Sequence, residues 1–518
     1  MQTALFSLLT GFSRVAGLVR EVVAAALYGT QAAMSAFTFA FLVPNLIRSL
    51  FADSALQAAF IPVFTELLEG GRRRDAFRLA GAMFGLIVAA LGTITILMML
   101  IAPWLMPALT GGQFDAELDS LTVGLSQVLF PIVLLLGLNG LVVGVLNAHD
   151  HFSIPALAPV VWNVVIIVSM VGLQGLFEGD ERIYAYAIGV LAGTIVQLGM
   201  SLAAFRSIGF SMRITFDWRD ARIRRILVLM LPVTIGLGLI NFNMLINTGL
   251  GSELSEEAAA AIDKAFRIYM LPQGMFSVAV ATVLFPALSR LASRRDVDGL
   301  RGVLATGTRQ IALLLIPAMV ATVVLAEPMT RVIYERGAFD AESTAMVSEA
   351  LFWFSFSLPF SGVNLLLTRT FFSLQRPWTP TALAGLTLLV NAVVSFALYR
   401  PFGIGGIVFG TVVASAVMTI GQAIALRREL RGLEAARTLK AGALMLAAAL
   451  VLGVVAYGVW WTLDELLGRS LIAQVVAVGA GVTAGTVVYA ALVLALRIPE
   501  ARDIAGMLGA RLRRSGAP

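Results

Sequence analysis

Apolar runs long enough to cross a lipid bilayer recur along almost the whole chain. A transmembrane helix needs about 20 consecutive apolar residues, and we count about fourteen such runs. They fall near residues 4–28, 33–62, 79–104, 121–147, 155–176, 183–205, 224–247, 262–289, 306–326, 346–373, 379–399, 406–426, 438–462 and 470–496. Only 13% of the residues are charged and 59% are hydrophobic, against about 25% charged in soluble domains. The sequence therefore predicts an all-α polytopic membrane protein.

The loops between these runs alternate between basic and acidic. The basic loops and the tail contain Arg72, Arg73, Arg74 and Arg78; Arg213, Arg219, Arg222, Arg224 and Arg225; Arg290, Arg294, Arg295 and Arg301; Arg427, Arg428, Arg431 and Arg437; and Arg511, Arg513 and Arg514. The alternate loops contain Asp115, Glu117 and Asp119; Glu178, Asp180 and Glu181; and Glu253, Glu256 and Glu257. Since basic loops stay on the cytoplasmic side, we expect both termini to be cytoplasmic and the basic loops to contact membrane lipids.

A weak internal repeat divides the chain into two halves. Pro44 and Pro62, which precede a basic loop, are echoed by Pro272 and Pro286, which precede another. The echo continues further on, where Pro131, Asn139, Pro155 and Asn163 find counterparts in Pro359, Asn364, Pro380 and Asn391. An even number of spans separates the copies, so they share an orientation, as in parallel transporter repeats. We expect six-helix lobes over 1–210 and 211–430, then two further helices and a basic tail over 431–518.

Several classes of chemistry lack the residues they need. The chain has no cysteine, which excludes disulfides, thiolate nucleophiles and cysteine metal sites. Lys264 and Lys440 are the only lysines, and neither ends a phosphate-binding Gly-Lys-Ser/Thr loop. The two histidines, His149 and His151, share a short loop, where a loop role is favoured over a metal site. We expect a transporter and not an enzyme, with no cofactor. The net charge of +6 is explained by the loops, without nucleic acid.

Four arginines inside apolar runs are the candidate site residues, because a permanent charge is expensive there and usually functional. They are Arg14 and Arg20 in the first span, Arg48 after Pro44 in the second, and Arg267 before Pro272 in the second half. Guanidinium groups bind phosphate in bidentate fashion and stay charged at any working pH. The set predicts a cavity for an anion such as a diphosphate. The alternative is that these arginines pair with Glu21 or Asp53, the chief acids within spans, or extend to the interface.

The sequence also resembles a known family over about residues 4–430. The resemblance is carried by FSRVAGLVREVVAAALYG, AFTFAFLVPNLIRSLFADSALQAAFIPVF, FPIVLLLGLNGLVVGVLNAHDHFSIPALAPVVWN, LPQGMFSVAVATVLFPALSRLAS, YERGAFD and RTFFSLQRPWTP. These segments are similar to the lipid II flippase (MurJ, or MviN) family. The resemblance implies two six-helix lobes plus two extra helices, as in multidrug/oligosaccharidyl-lipid/polysaccharide exporters. It further implies movement of undecaprenyl-diphosphate-linked peptidoglycan precursor across the bacterial cytoplasmic membrane.

The same resemblance implies roles for individual residues. Arg14, Arg20, Arg48 and Arg267 match the family's cavity arginines, and Ser13 matches a small polar residue before the first of them. Many members have Asp where this chain has Ser35. Positions that hold sodium in some members correspond here to Asn247, Asn391 and Ser395, with Thr411 further on. A hard cation prefers carboxylate oxygens, so whether transport is coupled to Na⁺, to H⁺ or to the membrane potential stays open at this point.

Alternating access is the mechanism that these observations favour, with the lipid headgroup bound by the arginines and its tail in a groove near the last two spans. The partners expected are the lipid-linked precursor, membrane lipids and proteins of cell-wall synthesis. Three alternatives remain: a flippase or exporter for another polyprenyl-linked saccharide or small molecule, a membrane glycosyltransferase, and a cell-wall scaffold. A glycosyltransferase would need an essential carboxylate on the outer face, for which Glu253 and Glu335 are the candidates.

Overall fold

The computed structural model describes residues 2–502 apart from 52–53, 113, 150, 152, 209–214 and 216–219. Its first half contains nine α-helices. They are α1 Gln2–Tyr28, α2 Ala32–Phe51, α3 Ser54–Glu69, α4 Arg73–Leu109, α5 Ala116–Leu129, α6 Pro131–Ala148, α7 Ser153–Leu173, α8 Tyr184–Ala203 and α9 Ala221–Ser252. Pro131 is the first residue of α6, where a missing N–H leaves no intrahelical bond unmade.

Nine more helices follow in the second half. They are α10 Ala258–Pro272, α11 Val278–Ser293, α12 Val297–Val324, α13 Ala326–Tyr334, α14 Ala341–Ser355, α15 Leu358–Ser373, α16 Trp378–Glu429, α17 Ala435–Leu467 and α18 Leu471–Ala495. A π-helical turn over Gln273–Ser277 joins α10 to α11. No strand occurs in the parts of the chain that the structure describes.

These helices confirm the predicted all-α membrane fold. Among the described residues, nine helices are long and apolar enough to cross a membrane, and a bent pair brings the number to ten. Twelve of the fourteen predicted spans each coincide with one helix or a consecutive pair. The bent pair is α14 and α15, which meet at 49°. Two predicted spans fall within α16, which contains the non-helical residue Gly403 (φ 56°, ψ −139°).

The helices group into two compact units. Unit 1 comprises Met1–Ala260 and Arg336–Asp340, and unit 2 comprises Ala261–Glu335 and Ala341–Pro518. The lobe boundaries predicted near residues 210 and 430 are not tested by this division and stay a prediction. The basic tail with Arg511, Arg513 and Arg514 lies outside the described residues, as does Asp53.

Unit 1 has two main apolar cores. One packs α3, α4, α6 and the start of α9 around Phe60, Phe64 and Leu79, which are fully buried. The other packs α1, α2, α5 and α8, with Phe39 and Tyr186 among its buried rings. The second core holds α1 and α2 in place, and these two helices carry three of the four predicted site arginines.

Unit 2 holds its last two helices through α12. Apolar side chains of α12, α17 and α18 form one core that includes the buried Met445, Leu452 and Val493. At one end of this core, Arg309 of α12 is bonded to Glu500, beyond α18, and to Glu434, just before α17 (Nη1 to Oε2, 3.2 Å). Apolar packing and a buried charge cluster therefore both attach the two additional helices to unit 2.

Candidate functional site

Helix α1 presents Ser13, Arg14 and Arg20 along its length in unit 1. Six residues turn an α-helix by about 240°, so the two arginines leave the helix on different sides. Arg14 is exposed and Ser13 is half-buried, whereas the Arg20 side chain is only 11% exposed. The apolar neighbours Phe12 and Val15 are exposed, as expected for a helix that faces lipid.

Glu21 and Trp162 both contact the guanidinium of Arg20. Its Nη2 donates to Oε1 of the buried Glu21 at 2.6 Å, and its central carbon lies 4.9 Å from the centre of the Trp162 ring in α7. Consecutive residues of a helix do not face each other, so the side chain of Arg20 bends along α1 to reach Glu21. The structure thus confirms one part of the alternative drawn from the sequence, the pairing of Arg20 with Glu21.

Trp162 is itself fixed in place. Its indole N–H donates to Oγ1 of Thr194 in α8 at 3.1 Å, and Thr194 donates to the Val190 carbonyl at 2.7 Å. The next residue, Asn163, is buried and donates to the carbonyl of Pro159 at 2.9 Å. Arg20 therefore lies against a ring of α7 that is hydrogen-bonded to α8.

Arg48 lies in the last turn of α2, four residues after Pro44. Its Nε and Nη2 both donate to Oδ1 of Asn45, at 3.1 and 2.7 Å. Both bonds lie along one edge of the guanidinium and both end on a neutral amide oxygen. The side chain is half-buried. A second cation is therefore held by unit 1 within an apolar helix.

Arg267 belongs to α10 and to unit 2. Its Nε donates to Oδ2 of Asp263 at 2.8 Å, and its Nη2 to Oδ1 at 3.4 Å. Asp263 lies one helical turn earlier, a spacing and order that favour such pairs. Two residues beyond Arg267, the buried Tyr269 hydroxyl accepts from Ser357 at 2.9 Å and donates to Ser361 at 2.8 Å. These bonds fasten α10 beside α15.

The predicted arginines are thus distributed between both units. Arg14, Arg20 and Arg48 belong to unit 1 and Arg267 to unit 2. Arg20 and Arg267 each have a carboxylate partner on their own helix. Guanidinium groups supported in this way can bind a phosphate once the carboxylate leaves, and no group in the set is a nucleophile. The arrangement is suited to reversible anion binding.

The residues of the predicted cation site are also distributed between the two units. Asn391, Ser395 and Thr411 come together within α16, where Oδ1 of Asn391 accepts from Thr411 at 3.4 Å and from Ser395 at 3.5 Å. Ser395 also bonds the Ile407 carbonyl at 2.8 Å, and a Cβ added at Gly410 would lie 2.0 Å from its Oγ. Asn247 is buried in α9 of unit 1. The α16 cluster consists of uncharged oxygens, and the binding of a cation there stays a prediction.

A cavity of about 590 Å³ in unit 1 has the opposite charge from the arginine set. Its acidic lining consists of Asp115, Glu117, Glu178, Asp180, Glu181 and Glu256. Burial, followed by the charges of Asp115, Glu257 and Asp180, raises the pKa of Glu256 above its ordinary value. This cavity would repel an anion. Among the described residues, no cluster of His, Cys, Asp or Glu side chains is arranged to hold a metal ion.

The long apolar helices define the class of protein: a polytopic membrane protein. Its fold is also found in a solved transporter structure. A solved "multidrug resistance MATE family transporter of the MOP superfamily" in its inward-facing conformation matches with a TM-score of 0.68 and 17% identity, over 83% of this chain and 95% of that one.

The family follows from closer matches. A family model described as "Lipid II flippase MurJ" matches residues 24–491, so the chain belongs to the lipid II flippase MurJ family. A "Probable lipid II flippase MurJ" of Rhizobium tropici is 33% identical over 406 residues, 78% of this chain and 76% of that protein. The "Lipid II flippase MurJ" of Burkholderia cenocepacia is 29% identical over 425 residues, 81% and 82% of the two chains.

A solved structure agrees with the family. "Lipid II flippase MurJ, inward closed conformation" matches with a TM-score of 0.78 and 22% identity, over 95% of this chain and 99% of that one. Membership in this family and the apolar helices place the protein among the multi-pass proteins of the bacterial plasma membrane.

Sequence reasoning missed two features of the site and one of the fold. Asp263 was not counted among the acids within spans, although its spacing of four residues from Arg267 is a visible pairing signal. Trp162 carries no sequence signal that would join it to Arg20. The bond of Arg309 to Glu500 joins residues 191 apart in the sequence, and only the packing of α18 against α12 brings them together.

Proposed function

We propose that this protein moves the undecaprenyl-diphosphate-linked peptidoglycan precursor from the cytoplasmic to the outer leaflet by alternating access. The observation that carries the proposal is the family match over residues 24–491, together with the arginines that the apolar helices of each unit hold. Lipid II is such a precursor, and its diphosphate is the chemical group that guanidinium donors recognise best.

The four arginines and Ser13 are the proposed binding residues for the headgroup. Arg14 is exposed on α1, so its charge is accessible to the headgroup. Trp162 orients Arg20, and Asn45 orients Arg48. Arg267 contributes from α10. Ser13, beside Arg14, supplies a hydroxyl for a phosphate or sugar oxygen. Several separate donors together replace the water molecules around the headgroup. Each of them binds it weakly enough for the cargo to be released.

The proposed direction of transport is from inside to outside, with both termini cytoplasmic. A membrane potential that is negative inside favours export of an anion by about 2.3 kcal/mol per charge per 100 mV. We propose this potential as the driving force, and no cofactor or covalent step is required. Coupling to H⁺ or Na⁺ is tested by imposing each gradient separately on proteoliposomes. Membrane lipids and proteins of cell-wall synthesis are the proposed further partners.

Depletion of the protein in its host is the decisive experiment. The fraction of lipid-linked precursor accessible in the outer leaflet is measured with a probe that does not cross the membrane. We expect this fraction to fall while total precursor rises, and a plasmid copy with Asp298→Asn, an exposed control, to restore it. An unchanged outer-leaflet fraction would refute the proposal. If export is unaffected and another polyprenyl-linked saccharide accumulates inside, the cargo is that saccharide.

A further inference from the structure

Arg20 and Arg267 each carry a carboxylate on the edge that a phosphate would use. In unit 1, Glu21 binds Nη2 of Arg20 at 2.6 Å. In unit 2, Asp263 binds both Nε and Nη2 of Arg267, at 2.8 and 3.4 Å. Bidentate recognition of phosphate requires two parallel donors of one guanidinium. A diphosphate therefore cannot engage Arg267 along this edge until Asp263 moves away, and Glu21 occupies one donor of Arg20.

Both ion pairs are largely buried, and this burial explains why each arginine has a carboxylate partner. The side chains of Arg20 and Glu21 are 11% and 6% exposed, and those of Arg267 and Asp263 are 32% and 16% exposed. An unpaired charge at such a place in an apolar helix is strongly unfavourable. Each carboxylate offsets this by supplying a counter-ion while no cargo is present.

We infer that Glu21 and Asp263 are resident counter-ions that exchange with the phosphates of the cargo. The inference rests on the proposed function and names a step within it. At each arginine, binding of a cargo phosphate displaces the carboxylate. The return of the carboxylate displaces the phosphate and restores the ion pair. The protein thus limits its own affinity for the cargo and gains a route to release it.

The surroundings of the two pairs support exchange over a fixed structural bond. Glu21 directly follows Arg20, and neighbouring helical positions point about 100° apart, which is not the spacing of a favourable helical ion pair. The Trp162 ring lies 4.9 Å from the central carbon of the Arg20 guanidinium and contacts its face. Asp263 and Arg267 lie on one turn of α10, so their bond opens by side-chain rotation alone. Neither exchange requires a change in the helix backbone.

The test compares carboxylate and arginine variants of the full-length protein in lipid nanodiscs. The variants are Glu21→Gln, Asp263→Asn, Arg20→Gln and Arg267→Gln, with Asp298→Asn as the matched control. Asp298 pairs with Arg301 at 3.0 Å and is 90% exposed, outside the site. The probe is purified lipid II, and the measurements are its dissociation constant and its rate of transfer across proteoliposomes.

We expect the two carboxylate variants to bind lipid II about two- to tenfold more tightly than the unsubstituted protein. They should also transfer it more slowly, because release becomes limiting. The arginine variants should bind more weakly, and Asp298→Asn should match the unsubstituted protein. Thermal unfolding of each variant shows whether it is folded, and Asp263→Asn, at the more exposed pair, serves if Glu21→Gln is unstable.

The outcomes separate this inference from the proposed function. Unchanged or weaker binding by folded Glu21→Gln and Asp263→Asn, with weaker binding by the arginine variants, would overturn counter-ion exchange alone. A protein that is folded but binds and transfers no lipid II in any form would overturn the proposed function, and the inference with it. Tighter binding with unchanged transfer would refute the role in release.

Discussion

The backbone N–H of Ala338 donates to the carbonyl oxygen of Ala26 at 2.8 Å. Ala26 lies in the last turn of α1, and Ala338 belongs to Arg336–Asp340, the segment between α13 and α14 that forms part of unit 1. The bond satisfies a carbonyl at the helix end that lacks an intrahelical partner. It also fixes the end of the helix that carries Arg14 and Arg20.

This contact depends on two glycines with positive φ. A Cβ at Gly337 (φ 61°) would lie 2.1 Å from the Ala26 oxygen, and one at Gly29 (φ 59°) would lie 2.4 Å from the Ala338 oxygen. We expect Gly337→Ala and Gly29→Ala each to lower the melting temperature, since left-handed backbone strain of about 1–2 kcal/mol is joined by a clash with backbone.

Gly112→Ala is the matched control for backbone strain without a clash. Gly112 also has a positive φ of 70°, but no atom lies within 4 Å of the added Cβ. Its variant should lose less stability than the other two. Equal losses in all three variants would show that the contact between α1 and Arg336–Asp340 adds nothing beyond backbone strain.

A second prediction concerns the attachment of α17 and α18. Arg309 is 5% exposed and Glu500 is 2% exposed, and they form a buried ion pair. Arg309→Gln leaves the buried Glu500 carboxylate without its cationic partner, so it should destabilise unit 2 by about 3–5 kcal/mol. Glu500→Gln should cost less, because Arg309 keeps its ion pair with Glu434. Thermal unfolding measures the loss.

The exposed pair of Arg72 and Asp75 is the control for this prediction. Its side chains are 61% and 38% exposed, and Asp75→Asn should change stability by less than about 1 kcal/mol. In a double-mutant cycle, the paired change Arg309→Gln with Glu500→Gln should be less harmful than the sum of the single changes. Strict additivity would argue against a bond between the two side chains.

Hydropathy was sufficient to place the helices but not their interruptions. The runs near 379–399 and 406–426 were predicted as two spans, and the positive φ of Gly403 marks their junction within α16. The bend of 49° between α14 and α15 lies just before Pro359. Proline and glycine show where a helix can bend, whereas packing against neighbouring helices determines whether it does and by how much.

The site was predicted less completely for a related reason. Arginines in apolar runs are visible in the sequence because each is unfavourable there, and Glu21 was recognised as a partner for the same reason. The contact of Trp162 with Arg20 joins α7 to α1 across 142 residues. An apolar ring in an apolar helix gives no sign of its neighbour, so only the packed structure reveals this contact.

Trp162 supplies a third prediction. Trp162→Leu removes the ring that supports Arg20, and a cation–π contact is worth about 0.5–2 kcal/mol. Lipid II binding should therefore weaken about two- to thirtyfold. Trp162→Phe keeps a ring and loses the bond to Thr194, so its binding should be intermediate. Trp461→Leu, at an exposed position of α17, is the control. Full binding by Trp162→Leu would contradict a positioning role.

The uncharged cluster in α16 leads to a fourth prediction. Asn391→Ala removes the buried oxygen that accepts from Thr411, whereas Ser395 keeps its bond to the Ile407 carbonyl. Loss of a typical hydrogen bond costs about 0.5–1.5 kcal/mol, so the melting temperature should fall slightly. Replacement of Na⁺ by K⁺ in proteoliposomes should leave the transport rate of the unsubstituted protein unchanged. A sodium-dependent rate that Asn391→Ala abolishes would instead establish an ion site.

The acidic cavity of unit 1 provides a prediction about pH. The raised pKa of Glu256 means that the folded protein holds its proton more tightly than the unfolded chain does. Stability therefore falls as the pH rises from the ordinary glutamate value through the raised value. Glu256→Gln, which stays neutral, should be more stable than the unsubstituted protein at pH 7.

The advantage of Glu256→Gln should disappear as the pH falls below the ordinary glutamate pKa, because Glu256 is then protonated in both the folded and the unfolded states. Melting temperatures from pH 4 to pH 8 measure this difference, and Glu69→Gln, at an exposed position of α3, is the control. If Glu256→Gln raises the melting temperature by the same amount at every pH, the substitution acts through packing and not through the charge. A gain that grows toward low pH would mean that Glu256 is stabilised as the carboxylate, against the burial and the negative neighbours that surround it.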